Sequence, residues 1–280
     1  MPPSAPCNPC FLQPLLPVTH RDLHSIVLGP SDEPSDEEAL VFLHGWGSSL
    51  DSLRPAAEAF STDYRCYLLD LPGHGHSPPP PEPWGVPEHA ACLRDILTTE
   101  VGVPSTLIGH SNGGRLSLYL ASQPDTADWV KRLVLISPSG VEPERSWTVR
   151  ARSGLARAMK ALVRALPPPV REPALDWLHH SALWKMLGSA DYNAASGVMR
   201  DTFVRTVNHH LDEVLPHISV PTLLFWGTAD EAVSRRQMSI LDEQLQDAGL
   251  VELDGAGHYG HLEHFDTFLA ATRSFLETDA

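Results

Sequence analysis

The chain is short of cysteine, short of positive charge, and without a long apolar run. Four cysteines among 280 residues are too sparse for a disulfide framework, so a reducing compartment is the expected setting. Two of them, Cys7 and Cys10, stand in a C-x-x-C spacing. Two thiols cannot complete a tetrahedral zinc site, and no second pair follows at a zinc-finger distance, so the pair reads as incidental. Lys and Arg number 20 against 35 Asp and Glu, a formal charge of -15. Such a surface repels phosphate backbones and anionic lipid, which speaks against nucleic acid and against a polybasic membrane anchor. No uninterrupted run of about 18 apolar residues is present to cross a bilayer. The N-terminus has no charged leader and is broken by Pro14 and Pro17, so a cytoplasmic protein is expected rather than a secreted one.

What is present is a 42% hydrophobic chain, enough to bury one sizeable core. Residues 1–17 are proline-rich and read as a loose tail. From there short apolar runs alternate with amphipathic segments. The runs His24–Leu28, Ala39–Leu43, Tyr64–Asp70, Ser105–Gly109, Arg132–Ser137, Pro221–Trp226 and Gly249–Leu253 are bounded by Gly, Pro or Asp, as strands covered on both faces are. Helices are expected over Glu88–Glu100, Asn112–Ser122, Arg235–Asp247 and Phe265–Glu277. This alternation predicts an α/β fold: a doubly wound, mostly parallel sheet with helices on both faces. Residues 138–216 contain no strand signal and are too long for a structureless loop. They are read as a helical cap inserted between late strands, with 18–137 and 217–280 as the core.

The chemistry concentrates in a few turns. Gly109-His110-Ser111-Asn112-Gly113 is a G-x-S-x-G directly after an apolar run and before a helical segment. That context puts Ser111 on a tight turn, its hydroxyl projecting, with amides of the following helix start nearby. A serine needs a base to take its proton. His258 follows the last strand and Asp230 the one before, so both fall on loops at the same sheet edge, in the order Ser, Asp, His. Asp230 would orient the imidazole and stabilise its cation; Glu231 and Asp254 are the rival acids. The turn His44-Gly45-Trp46-Gly47 can supply a backbone N–H from Trp46, and Asn112 a second, to hold a developing oxyanion. His44 is expected to support this turn rather than act as a base.

Taken together, the His44–Gly47 turn, Asp70-Leu71-Pro72-Gly73-His74-Gly75-His76-Ser77, the Ser111 elbow, Asp230 and His258 resemble the α/β-hydrolase fold family over nearly the whole chain outside the tail. The resemblance implies a serine hydrolase acting on a small or medium ester, thioester or related acyl bond through an acyl-enzyme, with a small-molecule substrate and neither cofactor nor metal. It makes the D-x-P-G stretch a structural turn. Dehalogenases and epoxide hydrolases of this fold use an aspartate where this chain has Ser111. Carbon–carbon bond hydrolases of ring-cleavage products share the Ser, Asp, His set and a helical cap, so they are the alternative; they tend to carry Trp after the histidine, where this chain has Tyr259. A non-catalytic binding protein on the same fold is a further alternative.

Other constellations weigh less. His258, His261 and His264 are spaced by threes, but His258 already has a role and the other two would begin the final helix. Ser153–Leu166 pairs a leucine stripe with Arg157, Lys160 and Arg164, and reads as a cap helix with a basic face. Arg200 and Arg205 are candidates to hold a substrate carboxylate. Trp147, Trp177, Leu183 and Trp184 suit a pocket lining or a helix-packing interior equally.

Overall fold

The computed structural model describes residues 22–30, 38–143 and 190–278, with short pieces between 158 and 171. The N-terminal tail with Cys7 and Cys10, most of the basic segment Ser153–Leu166, and Trp147, Trp177, Leu183 and Trp184 lie outside the described residues.

The apolar runs become strands β1 (Ser25–Leu28), β2 (Ala39–Leu43), β3 (Cys66–Leu69), β4 (Ser105–His110), β5 (Val130–Ile136), β6 (Thr222–Gly227) and β7 (Ala248–Leu253). They form one seven-stranded sheet in the order β1-β3-β2-β4-β5-β6-β7. Only the β1–β3 pair is antiparallel; the other neighbours run parallel. The helices are α1 (Arg54–Phe60), α2 (Val86–Ile96), α3 (Asn112–Ala121), α4 (Ala190–Ala194), α5 (Gly197–Val207), α6 (Arg235–Gln244), α7 (Gly260–Glu263) and α8 (Phe265–Leu276). None among the described residues is long and apolar enough to cross a membrane.

Strand parity sorts the core into two layers. Side chains alternate across a sheet, so Val41 and Leu43 of β2 join the helices α2, α3 and α6 on one face. Leu40 and Phe42 join α1 and α8 on the other. The central strands β2, β3, β4 and β6 are buried along their whole length, whereas β1 is half open to solvent, as an edge strand is. The doubly wound sheet expected from the alternation is therefore present. Between β5 and β6 the described residues hold α4 and α5 and no strand.

Some boundaries move for local reasons. Helix α2 starts two residues before the expected Glu88, because the Glu88 carboxylate caps the Gly85 N–H at 2.7 Å and Pro87 sits in the first turn, where its missing N–H is harmless. It ends at Ile96, and Leu97–Val101 continue as a wider π-turn closed by Gly102 at φ 71°. Helix α1 has no counterpart in the sequence reading. Its seven residues carry Pro55 in the first turn, too short a window for helical periodicity to stand out. The final helix is also broken: His261 lies in α7, and His264 is the non-helical joint before α8.

The topology itself selects a location. The chain leaves β2 toward β3 on one side, then returns with β4 on the other, so the winding direction switches between β2 and β4. In open α/β sheets the crevice outside the carboxyl ends at such a switch is where ligands bind. Here those ends are His44–Gly47 after β2 and Ser111 after β4.

Candidate active site

Ser111 links β4 to α3 with φ 51° and ψ -106°, outside the regions that L-residues favour. Backbone strain of this kind costs about 1–3 kcal/mol and persists only where neighbours over-determine it. They do so here. The Ser111 N–H donates to Ile136 O at 3.0 Å, and its carbonyl accepts from Ser139 N, Ser139 Oγ and Arg115 N at 3.0–3.1 Å. Glycines make the turn possible. A Cβ at Gly113 would stand 1.9 Å from Leu43 O, and one at Gly109 would stand 2.7 Å from Gly114 N. The flanking glycines of G-x-S-x-G are thus required by two backbones passing in contact.

His258 and Asp230 are brought together. His258 Nδ1 lies 2.9 Å from Asp230 Oδ2, and Asp230 Oδ1 accepts from the N–H groups of Ala232 and Val233 at 2.7 and 3.0 Å. The Asp230 side chain is fully buried. Burial pushes its carboxyl upward, but the His258 ring and the Val233 N–H outweigh this and hold it below the ordinary value. An ionised carboxylate only accepts, so the proton between them belongs to Nδ1. That tautomer leaves His258 Nε2 with a free lone pair, the state a general base needs. The rival acids are elsewhere: Glu231 is exposed, and Asp254 is exposed with Thr228 Oγ1 at 3.4 Å.

His110, the residue before Ser111, packs against His258. His110 Nε2 donates to the His258 carbonyl at 3.0 Å, and the two rings are 4.8 Å apart. The Ser111 hydroxyl itself makes no hydrogen bond among the described residues. The Gly45 turn flanks the same point, since a Cβ at Gly45 would lie 2.9 Å from His110 Nδ1 and 3.3 Å from Ser111 Cβ. The N–H groups of Trp46 and of Asn112, the first residue of α3, have no acceptor among the described residues.

His44 behaves as a support. Its Nδ1 donates to Gly45 O at 2.7 Å and its Nε2 accepts from Leu71 N–H at 3.0 Å, so both nitrogens are engaged. Burial holds it neutral, pushed down to about 4. Asp70 is a hub of the D-x-P-G turn: Oδ1 accepts from Leu50 N, and Oδ2 from His76 N and His24 Nδ1, all within 2.9 Å. Gly75, at φ 52°, leaves no room for a Cβ beside that carboxylate.

One expectation is corrected, that of the histidine spacing. Arg205 donates to Pro83 O at 2.6 Å and Arg200 to Ala195 O at 3.0 Å, one bond from each guanidinium. Arg200 also lies over the Tyr192 ring. His261 does not open the final helix on a shared face with His264. It is buried with Nε2 3.3 Å from Ser52 O and its ring against His110 and Phe268. His110 is the residue that sequence reasoning passed over, as the variable position of the motif. Strand parity was the available signal: Ile108 and His110 share the face that α8 covers, and the His258 loop follows on that side.

Comparison with known proteins agrees with this fold. Residues 38–265 match the family model described as alpha/beta hydrolase fold. The chain is 28% identical to the pimeloyl-[acyl-carrier protein] methyl ester esterase of Chromobacterium violaceum over 248 residues, covering 86% of this chain and 95% of that one. It is 27% identical to the esterase YbfF of Escherichia coli over 244 residues, covering 85% and 92%. Among solved structures, the enol-lactonase of Burkholderia xenovorans LB400 superposes with a TM-score of 0.67 at 24% identity, covering 91% of this chain and 96% of that one. The chain belongs to the α/β-hydrolase fold family.

Proposed function

We propose that the protein is a serine hydrolase that cleaves a small or medium ester, or a related acyl bond, through an acyl-enzyme. The observation that carries the reading is the His258–Asp230 pair, 2.9 Å apart and buried on the aspartate side, on the same sheet edge as a serine held at φ 51°. In this reading Ser111 Oγ attacks the carbonyl carbon as His258 Nε2 takes its proton. The carbonyl oxygen becomes an oxyanion held by the N–H groups of Trp46 and Asn112. When the tetrahedral intermediate collapses, the C–O bond to the alcohol breaks and His258 returns the proton to the leaving oxygen. Water then enters, gives its proton to His258 and releases the acid, restoring Ser111. Asp230 stays ionised throughout and stabilises the imidazolium.

The relatives support an ester substrate: two of them are esterases, one of them for a methyl ester. Residues 138–216 would then form a cap over Ser111, with Asp191 of α4 and Phe203 of α5 beside the Trp46 turn. The test is a panel of p-nitrophenyl and methyl esters of increasing acyl length, run beside a vinylogous diketone ring-cleavage product, with a fluorophosphonate probe. Short to medium esters are expected to be turned over, and the probe to label wild type but not Ser111→Ala. A clear preference for the diketone would replace ester hydrolysis by carbon–carbon cleavage. A folded protein that neither labels nor hydrolyses would be a binding protein.

A further inference from the structure

Arg115 is the fourth residue of α3, one turn beyond Ser111, whose carbonyl accepts its N–H at 3.1 Å. The position is a costly one for a cation. Only 6% of the residue is exposed, and the start of a helix carries partial positive charge of its own. The guanidinium donates to Thr206 O, in the last turn of α5, and its Nε is buried without a partner. Burial pushes the group down to about 10, and no neighbouring acid counters the shift. A cation buried to this degree is ordinarily paired with a carboxylate; among the described residues Arg115 has none. The Oγ1 of Thr206, a residue itself fully buried, also lacks a partner.

These two unpartnered groups border the candidate active site. Thr206 and Phe203 are both buried and lie one turn apart on one face of α5, and the Phe203 ring is 5.1 Å from that of Trp46. On its other side the Arg115 stem runs past Gly140, where a Cβ would stand 3.6 Å from Arg115 Cγ. Ser139, the residue before Gly140, is bonded to the Ser111 carbonyl through both N and Oγ. Arg115 is thus enclosed between the face of α5 that meets the Trp46 turn and the loop that meets the Ser111 elbow.

We infer that Arg115 Nε and Thr206 Oγ1 hold a carboxylate of the substrate, so that the ester cleaved at Ser111 is a monoester of a dicarboxylic acid, its free carboxylate at the far end of the acyl chain. This deepens the serine-hydrolase reading above and rests on it. A carboxylate only accepts, and both groups can donate to it. The fold has already desolvated the guanidinium, so the ligand meets a charge that no longer has to be stripped of water, and the bond formed is of the strong, charge-assisted kind. One turn of helix, about 5 Å, separates Ser111 from Arg115 along α3, which suits an acyl chain of intermediate length.

The test uses the full chain as wild type, Arg115→Met and Thr206→Val. Methyl monoesters of succinic to suberic acid are run beside the methyl esters of the unbranched monocarboxylic acids of equal length. The quantity read is the ratio of kcat/KM, carboxylate-bearing ester over neutral ester. In wild type this ratio should exceed one and peak at a single chain length. Arg115→Met should lower it by about 10–100-fold and Thr206→Val by about 3–10-fold. The free dicarboxylate of the preferred length should raise the thermal midpoint of wild type and not that of Arg115→Met. Should Arg115→Met fail to fold, Thr206→Val, which leaves the cation in place, reads the same ratio. A wild-type ratio below one at every length, or a ratio that the substitutions leave unchanged, would overturn the inference and leave Arg115 a cap on the last turn of α5. That failure is distinct from failure of the serine-hydrolase reading, in which wild type itself would resist the fluorophosphonate probe and overturn both.

Discussion

Acid should unfold this protein through its buried histidines, and the size of the effect follows from the structure. His44, His89 and His261 are pushed down to about 4 and His110 to about 3, in each case chiefly because burial disfavours the charged ring. All four are buried. Their ordinary value, which the unfolded chain regains, is 6.5. Well above pH 6.5 both states are neutral and the groups add nothing to the pH dependence. Between 6.5 and 4 the unfolded chain takes up protons that the folded chain refuses, so stability falls as pH falls. At pH 5.5 the unfolded chain holds about 0.9 proton more per histidine, a slope of about 1.2 kcal/mol per pH unit for each. Four such groups remove about 8 kcal/mol by pH 5, comparable with the whole stability of a typical domain.

His89 isolates one of the four. It lies on α2 with its Nδ1 donating to Gly85 O at 2.7 Å and its ring beside Trp84. The amide nitrogen of His89→Asn can take the Nδ1 position without carrying a titratable proton. Urea unfolding of wild type and variant is followed at pH 7.5, 6.5 and 5.5. The fixed cost of the substitution appears at pH 7.5. Between pH 6.5 and 5.5 the variant should lose about 1 kcal/mol less than wild type. Equal losses would mean that His89 titrates normally in the folded chain, and the burial argument for all four would fall with it.

Two further predictions test the site and its scaffold. Asp230→Asn should lower kcat by about 10³–10⁴ while leaving the thermal midpoint nearly unchanged, because the histidine tautomer is lost and the packing is kept; Glu231→Gln and Asp254→Asn should retain near wild-type turnover, and a reversed ranking in steady-state kinetics would move the acid to one of those positions. Gly113→Ala should fail to give soluble folded protein, since its methyl would meet Leu43 O at 1.9 Å, whereas Gly249→Ala in β7, with open space around it, should be neutral or stabilising by up to about 1 kcal/mol in urea unfolding.

The strands and the site turns were legible because each is written in a few consecutive residues. Continuous apolar runs marked β2, β4, β5 and β6 because both faces of those strands are covered, and the G-x-S-x-G pattern fixed the elbow because two glycines are forced by backbone contact at Leu43 and Gly114. Short or interrupted elements were harder. Helix α1 is brief, and the π-turn after α2 hides inside an apparently continuous helical pattern. The partners of Arg200 and Arg205 were not legible either: a charged side chain in sequence has no direction, and each donates to a nearby carbonyl, at Ala195 and Pro83.

What sequence could not supply is the support around the proposed reacting groups, and this follows from where the support comes from. His258 and Asp230 are 28 residues apart and were found by order along the chain. His110 reaches the His258 carbonyl across 148 residues, and Asp70 ties β1, the turn after β2 and its own loop together from separations of 46 and 20. Phe203 stands more than a hundred residues from the Trp46 ring that it touches. Reacting groups must sit at strand ends, which fold topology predicts; the groups that aim them can come from any element that packs nearby. On the proposed mechanism, a substitution remote in sequence, on α5 or in the D-x-P-G turn, is therefore expected to alter turnover without touching substrate, by changing how firmly the turns around Ser111 and His258 are packed.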